Sequence, residues 1–313
     1  MYFKKSKNIY NRIVVRSVIF QIQKLFSLSN MSIQLIIDQI GLSNARYERV
    51  NGGDINTCWR LQSGGSKYFL KINSAADHPG MFQQEAKGLE ALKESSSFII
   101  PAVIKTDIAG KDQFLLLEWL EKETGNSDHL RPAGEKLATL HLQQQNWFGW
   151  IENNYIGSLR QVNNRHEDWH SFYADCRIIP LVKQLSDNHV ISQSDTVAAD
   201  KFCLRLTEIF PSEPASLLHG DLWSGNYMST AQGPSVFDPA VYYGHREMDI
   251  GMTKLFGGFD DSFYKAYEGV FHLEKGWLKR LPYSQLYPLL VHAVLFGGHY
   301  IEKSISIIKM FRK

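Results

Sequence analysis

The spacing of apolar residues changes near residue 125, and no other feature of the sequence constrains the fold as strongly. Between residues 45 and 120, apolar and β-branched residues alternate with more polar ones, as at Ile55, Thr57, Trp59 and Leu61, which is typical of half-buried strands. From about residue 130 onward, apolar residues recur every three or four positions, as in amphipathic helices. The chain is therefore predicted to form a small sheet followed by a larger helical part.

Two hairpins and one helix are predicted in the first part. A Ser-Gly-Gly-Ser turn at 63–66 joins the first of these strands to another at 68–72. Helical spacing predicts a helix over 80–94, and a second hairpin joins strands at 101–106 and 113–119. Later helices are predicted at 135–144, 168–185, 195–210, 260–267 and 283–296.

This order of elements predicts an α+β fold with two lobes. An antiparallel N-lobe sheet with one helix would occupy 31–122, and a mainly helical C-lobe would occupy 123–313. The polar stretch at 123–128 reads as the linker between them. Clefts between lobes commonly bind ligands, so a site is expected there.

Composition excludes several classes of protein. The 34 Lys and Arg residues nearly balance the 32 Asp and Glu residues, so nucleic acid is not expected as a partner. Cys58, Cys176 and Cys203 form no Cys-x-x-Cys pair, which argues against a disulfide framework and a structural zinc site. The most apolar segment, 288–298, falls short of the roughly 18 residues that a membrane-spanning helix needs. A cytoplasmic, reducing setting is predicted, and the oligomeric state stays open.

The first 30 residues differ from the rest of the chain. They contain six basic residues and no acidic residue. A secretory signal is disfavoured because Arg16 interrupts the apolar stretch. A basic membrane-surface helix, a transit-like segment and an upstream start codon with Met31 as the working initiator all stay open.

The chemistry is concentrated in two short segments, LLHGDLWSGN at 217–226 and VFDPA at 236–240. Asp221 and Asn226 are five residues apart, and Asp238 follows twelve residues later. The protein-kinase catalytic loop has the form H-x-D-x-x-x-x-N, followed by a metal-binding Asp after the next strand. The spacing therefore predicts a phosphotransferase of kinase-like fold.

These residue types suit phosphoryl transfer. A carboxylate such as Asp221 can orient an acceptor hydroxyl and take its proton. Asn226 and Asp238 offer the oxygen ligands that Mg²⁺ prefers, and Mg²⁺ accompanies ATP. Each residue alone would more commonly belong to a turn or cap, so the prediction rests on their order and spacing.

The first part of the chain supplies candidates for nucleotide binding. Gly52 and Gly53 lie in a loop between two strands, where their backbone can approach phosphates, although no Walker A sequence is present. Lys71 interrupts an apolar strand, and Glu85 on the next helix is its natural partner, as in kinases. The segment from Glu118 to Leu120 is predicted to meet adenine through its backbone.

Longer segments resemble the fructosamine kinase (ketosamine-3-kinase) family. They are HGDLWSGN at 219–226, FDPAVYYGHREMDIGMTKLFGGF at 237–259 and FGWIENNYIGSLRQVN at 148–163. The resemblance runs from about residue 31 to the C-terminus and is closest to the bacterial branch. It implies ATP- and Mg²⁺-dependent phosphorylation of the 3-hydroxyl of ketosamines, either free or on protein lysines, which begins deglycation.

The resemblance also implies roles for individual residues. Asp221 would be the base, Asn226 and Asp238 would bind Mg²⁺, and Lys71 with Glu85 would hold the phosphates of ATP. Asp249 would brace the catalytic loop from the next helix. Residues that would line the substrate pocket, or serve structure instead, are Trp223, Tyr243, His245 and Glu247.

Other functions stay open at this point. A different small-molecule kinase of the same fold would act on an aminoglycoside, choline or a sugar, and a catalytically silent protein would bind nucleotide only. The WSGN and NNYIG segments argue against the first, and the intact catalytic residues argue against the second. A protein kinase is disfavoured because D-F-G and A-P-E segments are missing from the sequence. A redox role for Cys58 is likewise undecided.

Overall fold

The computed structural model describes residues 32–50, 55–95, 98–124 and 128–310. The predictions for the 1–30 extension and for Gly52 and Gly53 therefore lie outside the described residues. The chain folds into two compact units. The first contains the described residues up to Pro79 with Lys105–Leu117, and the second contains Gly80–Ile104 and the described residues from Glu118 onward. The predicted boundary at residue 122 stays a prediction.

The first unit is built on a five-stranded sheet in the order β1-β2-β3-β5-β4. Strand β1 pairs antiparallel with β2, and β2 pairs antiparallel with β3. Between β2 and β3, Gly64 and Gly65 have φ angles of 57° and 84°, which suit the two-residue turn that matches strand twist. The strands are β1 Arg46–Val50, β2 Thr57–Ser63, β3 Ser66–Ser74, β4 Val103–Ala109 and β5 Asp112–Glu118.

A helix at 32–39, α1, covers one face of this sheet. Its Ile33, Ile36 and Ile37 are buried at helical spacing, so one stripe of the helix faces the strands. They pack in one cluster with residues that alternate along the strands, because alternate side chains share a face. These strand residues include Trp59, Leu61, Leu70, Ile72, Phe114 and Leu116.

The second unit is mainly helical and carries several small sheets. Its helices are α2 Met81–Ser95, α3 Leu130–His141, α4 Trp169–Tyr173, α5 Ile179–Asp187, α6 Gln193–Cys203, α7 Glu247–Leu255, α8 Asp261–Val270, α9 Trp277–Ser284, α10 Leu286–Phe296 and α11 His299–Met310. Its strands are β6 Gln144–Gln145, β7 Asn154–Ile156, β8 Leu159–Gln161, β9 Ala215–Leu218, β10 Tyr227–Thr230, β11 Gly233–Val236 and β12 Tyr242–Gly244. The predicted α+β class is confirmed.

Helix α2 belongs to the second unit. A Cβ atom added to Gly88 on α2 would lie 3.4 Å from Pro239 and 3.3 Å from Val241. The helix therefore packs closely on the segment that follows Asp238. In the described part of the chain, no helix is both long and apolar enough to cross a membrane.

Candidate active site

The register of one small sheet brings the two chemical segments together. Strands β9 and β12 are antiparallel, with Leu218 opposite Tyr242. Because the end of β9 lies beside the start of β12, residues 219–226 emerge next to residues 237–241. The N–H of Ala240 donates to the carbonyl of His219 at 2.9 Å and extends this pairing by one step.

The hairpin of β10 and β11 closes the other end of both segments. Tyr227 pairs with Val236, and the N–H of Phe237 donates to the carbonyl of Asn226 at 3.2 Å. Both segments are thus held at their two ends by backbone hydrogen bonds. Asp221, Asn226 and Asp238 therefore project from a rigid frame, which is what catalysis by positioning requires.

Two unusual backbone conformations allow this close packing. Gly220 has φ 83°, and a Cβ atom there would lie only 2.1 Å from the carbonyl oxygen of Ala240. Any side chain at residue 220 would force the two segments apart. Asp238 itself has φ 55°, a conformation that costs a non-glycine residue energy and that clusters at functional sites.

His219 connects the two segments through its ring. Its Nε2 lies 3.1 Å from the carbonyl oxygen of Phe237, and its Nδ1 accepts the N–H of Asp221 at 3.3 Å. A carbonyl must receive a proton and an N–H must give one, so the ring is neutral and protonated at Nε2. Burial lowers the pKa of His219, in keeping with the neutral form. His219 therefore holds the loop through a neutral ring.

Asp249 on α7 holds the loop that begins at His219 by accepting hydrogen bonds from its backbone. Its carboxylate accepts the N–H of His219 at 2.8 Å and the N–H of Gly220 at 2.9 Å. His141 Nε2 lies 3.3 Å from the same carboxylate, and His141 Nδ1 lies 2.8 Å from the Tyr267 hydroxyl. Burial alone would raise the pKa of Asp249, but the hydrogen bond and charge of His141, with the N–H of Gly220, hold it below its usual value.

Asp221 and Asn226 meet directly. Asn226 Nδ2 donates to the backbone carbonyl of Asp221 at 2.9 Å and lies 3.2 Å from its Oδ2. Burial, and then the negative charge of Asp238, raise the pKa of Asp221 to about 7. A carboxylate with a pKa near neutrality is a stronger base than an exposed one and is well matched to proton transfer.

The residues present fit a divalent cation of the magnesium type. The N–H of Phe237 donates to the carbonyl of Asn226, so Asp238 follows directly on the segment bonded to Asn226. The charge of Asp238 also raises the pKa of Asp221. Among the described residues, no three His, Cys, Asp or Glu side chains form a metal cage. Mg²⁺ that accompanies a nucleotide is commonly bound by one or two carboxylates plus phosphates, so a small protein ligand set is compatible with it. The role of Asn226 and Asp238 as its ligands stays a prediction.

The predicted nucleotide-binding residues occupy different units. Lys71 is 2% exposed on β3, opposite Cys58 in the register of the sheet. Glu85 is half-buried on α2, in the second unit. Glu118 donates its N–H to the carbonyl of Ala102 at 2.9 Å. Leu120 is half-buried. Their roles stay predictions.

Two of the predicted substrate residues present aromatic rings near the surface. Trp223 is 38% exposed, and its ring packs edge-on against Phe256 with centroids 6.0 Å apart. Tyr243 is half-buried and stacks on Trp150 at 5.7 Å. Trp223 immediately precedes the turn that carries Asn226. Its ring lies over the backbone of that turn, since a Cβ atom on Gly225 would lie 2.3 Å from it.

The other two predicted substrate residues lie in the interior. His245 is 0% exposed, with its ring 5.3 Å from the ring of Phe210 and its Nδ1 accepting the N–H of Glu247. Glu247 is 2% exposed and forms an ion pair with Arg280. Their contacts point to a structural role, and a role in substrate binding stays an untested prediction.

Two further amide side chains support the site and were missed by the sequence analysis. Asn154 Nδ2 donates to the carbonyl of Val241 at 2.9 Å, and Gln161 Nε2 donates to the carbonyl of Ala240 at 3.1 Å. The hairpin of β7 and β8 thus fixes the backbone after Asp238. The NNYIG segment was singled out as a family marker, but nothing in its local pattern indicates this contact. His141 was missed for the same reason.

Comparisons with known proteins agree on one family. A sequence model described as fructosamine kinase matches residues 29–313. A curated probable ketoamine kinase from Enterococcus faecium is 39% identical over 286 residues, which cover 90% of this chain and 100% of the relative. A chloroplastic protein-ribulosamine 3-kinase from Arabidopsis thaliana is 35% identical over 267 residues, covering 83% of this chain and 80% of the relative.

Solved structures show the same fold. A Thermobifida fusca protein described as a candidate fructosamine-3-kinase superposes with a TM-score of 0.76 at 32% identity, covering 85% of this chain and 92% of that one. The aminoglycoside phosphotransferase APH(4)-Ia has a TM-score of 0.61 at 15% identity, covering 91% and 100%. The second likeness shows a shared kinase-like fold alone.

Proposed function

Since the chain belongs to the fructosamine kinase family, we propose that it transfers the γ-phosphoryl group of ATP to the 3-hydroxyl of a ketosamine. The ketosamine is a ribulosamine, erythrulosamine or fructosamine, carried by a free amine or by a protein lysine. The 3-phosphate next to the C2 carbonyl is then a good leaving group. Enolisation toward C1 expels it as inorganic phosphate, and water then hydrolyses the resulting imine at C1, which releases the amine and a 3-deoxy dicarbonyl sugar. Phosphorylation thus begins deglycation in the cytoplasm.

The meeting of Asp221 with Asn226 beside Asp238 is the observation that carries the proposal. The acceptor oxygen forms a bond to the γ-phosphorus while the bond from phosphorus to the bridging oxygen of ATP breaks and ADP leaves. The hydroxyl proton passes to the Asp221 carboxylate, whose raised pKa of about 7 suits this acceptance near neutral pH. Asn226 orients Asp221 through its Nδ2 at 3.2 Å.

Asn226 and Asp238 would hold Mg²⁺, which neutralises charge on the phosphates when bound. The protein's own task at this position is to fix the two ligands. Asp238 is held by the backbone hydrogen bonds that Phe237 and Ala240 donate on either side of it. Asn226 is held because its own backbone N–H donates to the carbonyl of Trp223 at 3.0 Å. Fixed ligands reduce the reorganisation that the reaction requires.

Nucleotide binding is proposed for residues of both units. The ammonium of Lys71 would pair with the α- and β-phosphates, and a nucleotide-binding role is likewise proposed for Glu85. The backbone between Glu118 and Leu120 would meet adenine. Burial of Lys71 at 2% supports this role, because a buried ammonium is costly unless it is paired or functional.

Trp223 is proposed to form the wall that receives the sugar and its amine stem. An indole offers a flat apolar face, and its ring electrons attract a cation such as a protonated amine. Its exposure of 38% and its fixed contact with Phe256 support a preformed surface.

A substrate panel tests the proposal. Purified full-length protein is incubated with Mg²⁺, ATP and ribulose-lysine, fructose-lysine, an aminoglycoside, choline or glucose, and ADP and phosphorylated products are measured. We expect turnover of the ketosamines, with phosphorus NMR placing the phosphate on O3. Turnover of only an aminoglycoside, choline or glucose would overturn the substrate class, and nucleotide binding without any turnover would favour a silent binding protein.

A further inference from the structure

The loop that follows α7 lies along the turn that carries Asn226. This loop, residues 256–259, has the sequence Phe-Gly-Gly-Phe. Phe256 packs against Trp223, and the ring of Phe259 lies 5.7 Å from that of Tyr227. The two phenylalanines therefore touch the residues that flank the turn Ser224–Asn226 on both sides.

Between these two contacts, the backbone of Gly258 meets Ser224. A Cβ atom built on Gly258 would lie 2.4 Å from the Cβ and 2.8 Å from the Oγ of Ser224. Real Cβ atoms do not approach other atoms so closely, because overlap at that distance is strongly repulsive. Any side chain at residue 258 must displace Ser224 or the loop.

Gly257 provides an internal comparison. Both glycines have left-handed backbone angles, φ 74° at Gly257 and φ 93° at Gly258. Replacing either by alanine therefore introduces backbone strain, and the φ of Gly258 lies further from the left-handed region that other residues adopt. However, a Cβ atom on Gly257 would find no atom within 4 Å. The two positions share a positive φ and differ in the contact with Ser224.

The loop is itself anchored away from the turn. The Phe256 ring lies 4.9 Å from the ring of His292 on α10, and the Phe259 ring lies 4.7 Å from that of Phe263 on α8. Two helices therefore hold the loop in place when a side chain at residue 258 clashes with Ser224. Ser224 would move instead of the loop, and Asn226 would move with it because both belong to the same three-residue turn.

We propose that Gly258 is a positioning residue for phosphoryl transfer, because its missing side chain sets the place of the Ser224–Asn226 turn. The inference rests on the proposed kinase function. Asn226 lies two residues beyond Ser224 and orients Asp221, so a shift of the turn misplaces the groups that act on the acceptor hydroxyl. Misplacement of about 1 Å can cost about 100-fold in rate.

Four variants test it: Gly258→Ala, Gly257→Ala, Ser224→Gly and the double variant Ser224→Gly with Gly258→Ala. We expect Gly258→Ala to lower kcat by about 100-fold, while Gly257→Ala stays within about twofold of wild type. Both single glycine variants should have a lowered melting temperature, because both carry the backbone strain, and the clash should make the loss larger for Gly258→Ala. The double variant removes the clashing Cβ and should regain the kcat of Ser224→Gly.

Two results would overturn the proposal. One is a kcat for Gly258→Ala equal to that of Gly257→Ala, and the other is a double variant as slow as Gly258→Ala. A wild type without ketosamine kinase activity would instead contradict the proposed function. The same variants then test the contact by melting temperature, where Gly258→Ala must be the less stable glycine variant and Ser224→Gly must offset its excess loss.

Discussion

The carboxylate of Asp249 accepts the backbone N–H of His219 and not a proton of the His219 ring. The distance from the His219 nitrogen to the carboxylate oxygen is 2.8 Å. The same carboxylate accepts the N–H of Gly220 and contacts His141, so one buried charge satisfies three donors. A buried carboxylate is stable only when it is paired or well hydrogen-bonded. The catalytic loop and α7 are therefore coupled through Asp249.

Replacing Asp249 by asparagine should weaken both stability and catalysis. One of the acceptor oxygens becomes an NH₂ group facing buried donors, and an unsatisfied buried donor costs about 1–3 kcal/mol. We expect a lower melting temperature and a kcat reduced by about tenfold or more. Asp168→Asn is the matched control, since Asp168 also accepts a backbone N–H, that of Ser171, but is exposed.

The melting-temperature difference between wild type and Asp249→Asn should depend on pH in one direction. The pKa of Asp249 is lowered in the folded protein, so its charged form contributes stability above the unfolded pKa. The contribution disappears as pH falls through the folded value. The melting-temperature gap between wild type and Asp249→Asn should therefore be full at neutral pH and narrow in acid. A gap that widened in acid would contradict this assignment.

Asp221 should show the opposite behaviour, because its pKa is raised from 3.8 to about 7. The folded protein then binds this proton more tightly than the unfolded chain, so the carboxylate costs stability increasingly as pH rises through that window. Without added Mg²⁺, Asp221→Asn should melt about 2 °C or more above wild type at pH 8. The two should coincide near pH 3. A destabilised Asp221→Asn at pH 8 would contradict the prediction.

Replacing Glu247 should show whether this residue stabilises the fold or binds substrate in the pocket. Arg280 Nε donates to Glu247 Oε2 at 3.0 Å, and the carboxylate is 2% exposed. Removing one partner of a buried ion pair costs about 3–5 kcal/mol. Glu247→Gln should therefore lower the melting temperature while the KM for ketosamine stays unchanged in the folded fraction. A raised KM with unchanged stability would instead support the pocket role predicted from the sequence.

Trp223 should act through substrate binding. Its ring is 38% exposed, so truncation costs little core packing. Loss of an aromatic contact of about 1 kcal/mol predicts a KM for ketosamine raised by about fivefold to tenfold in Trp223→Ala. The KM for ATP should not change, and Trp223→Phe should retain most of the affinity. Equal KM values for ketosamine in all three proteins would remove Trp223 from the substrate surface.

Local patterns in the sequence predicted much of the architecture. Alternation predicted β2, β3, β4 and β5, and helical spacing predicted α2, in the observed order. Helices α1 and α11 were not predicted. The predicted family is confirmed by the comparisons. Boundaries were less accurate. The predicted helix at 283–296 is divided in the structure at Gln285, where α9 ends and α10 begins. The helix predicted at 195–210 ends at Cys203.

Long-range contacts explain what the sequence did not reveal. His141 reaches Asp249 across 108 residues, and Asn154 reaches the carbonyl of Val241 across 87 residues. No local period or spacing encodes such pairs. His245 and Glu247 were linked to the pocket by their closeness to Asp238 in sequence. In the fold both side chains lie in the interior, where His245 lies among aromatic rings and Glu247 meets Arg280. Their role in the pocket stays a prediction.

The most direct test of the account compares wild type with Asp221→Asn in Mg²⁺- and ATP-dependent phosphorylation of ribulose-lysine and fructose-lysine. We expect wild-type turnover on at least one ketosamine and a kcat about 1,000-fold lower in the variant, because the general base is lost. Melting temperature and nucleotide binding serve as controls for folding. A folded, ATP-binding Asp221→Asn that retained wild-type turnover would contradict the central claim that Asp221 is the base.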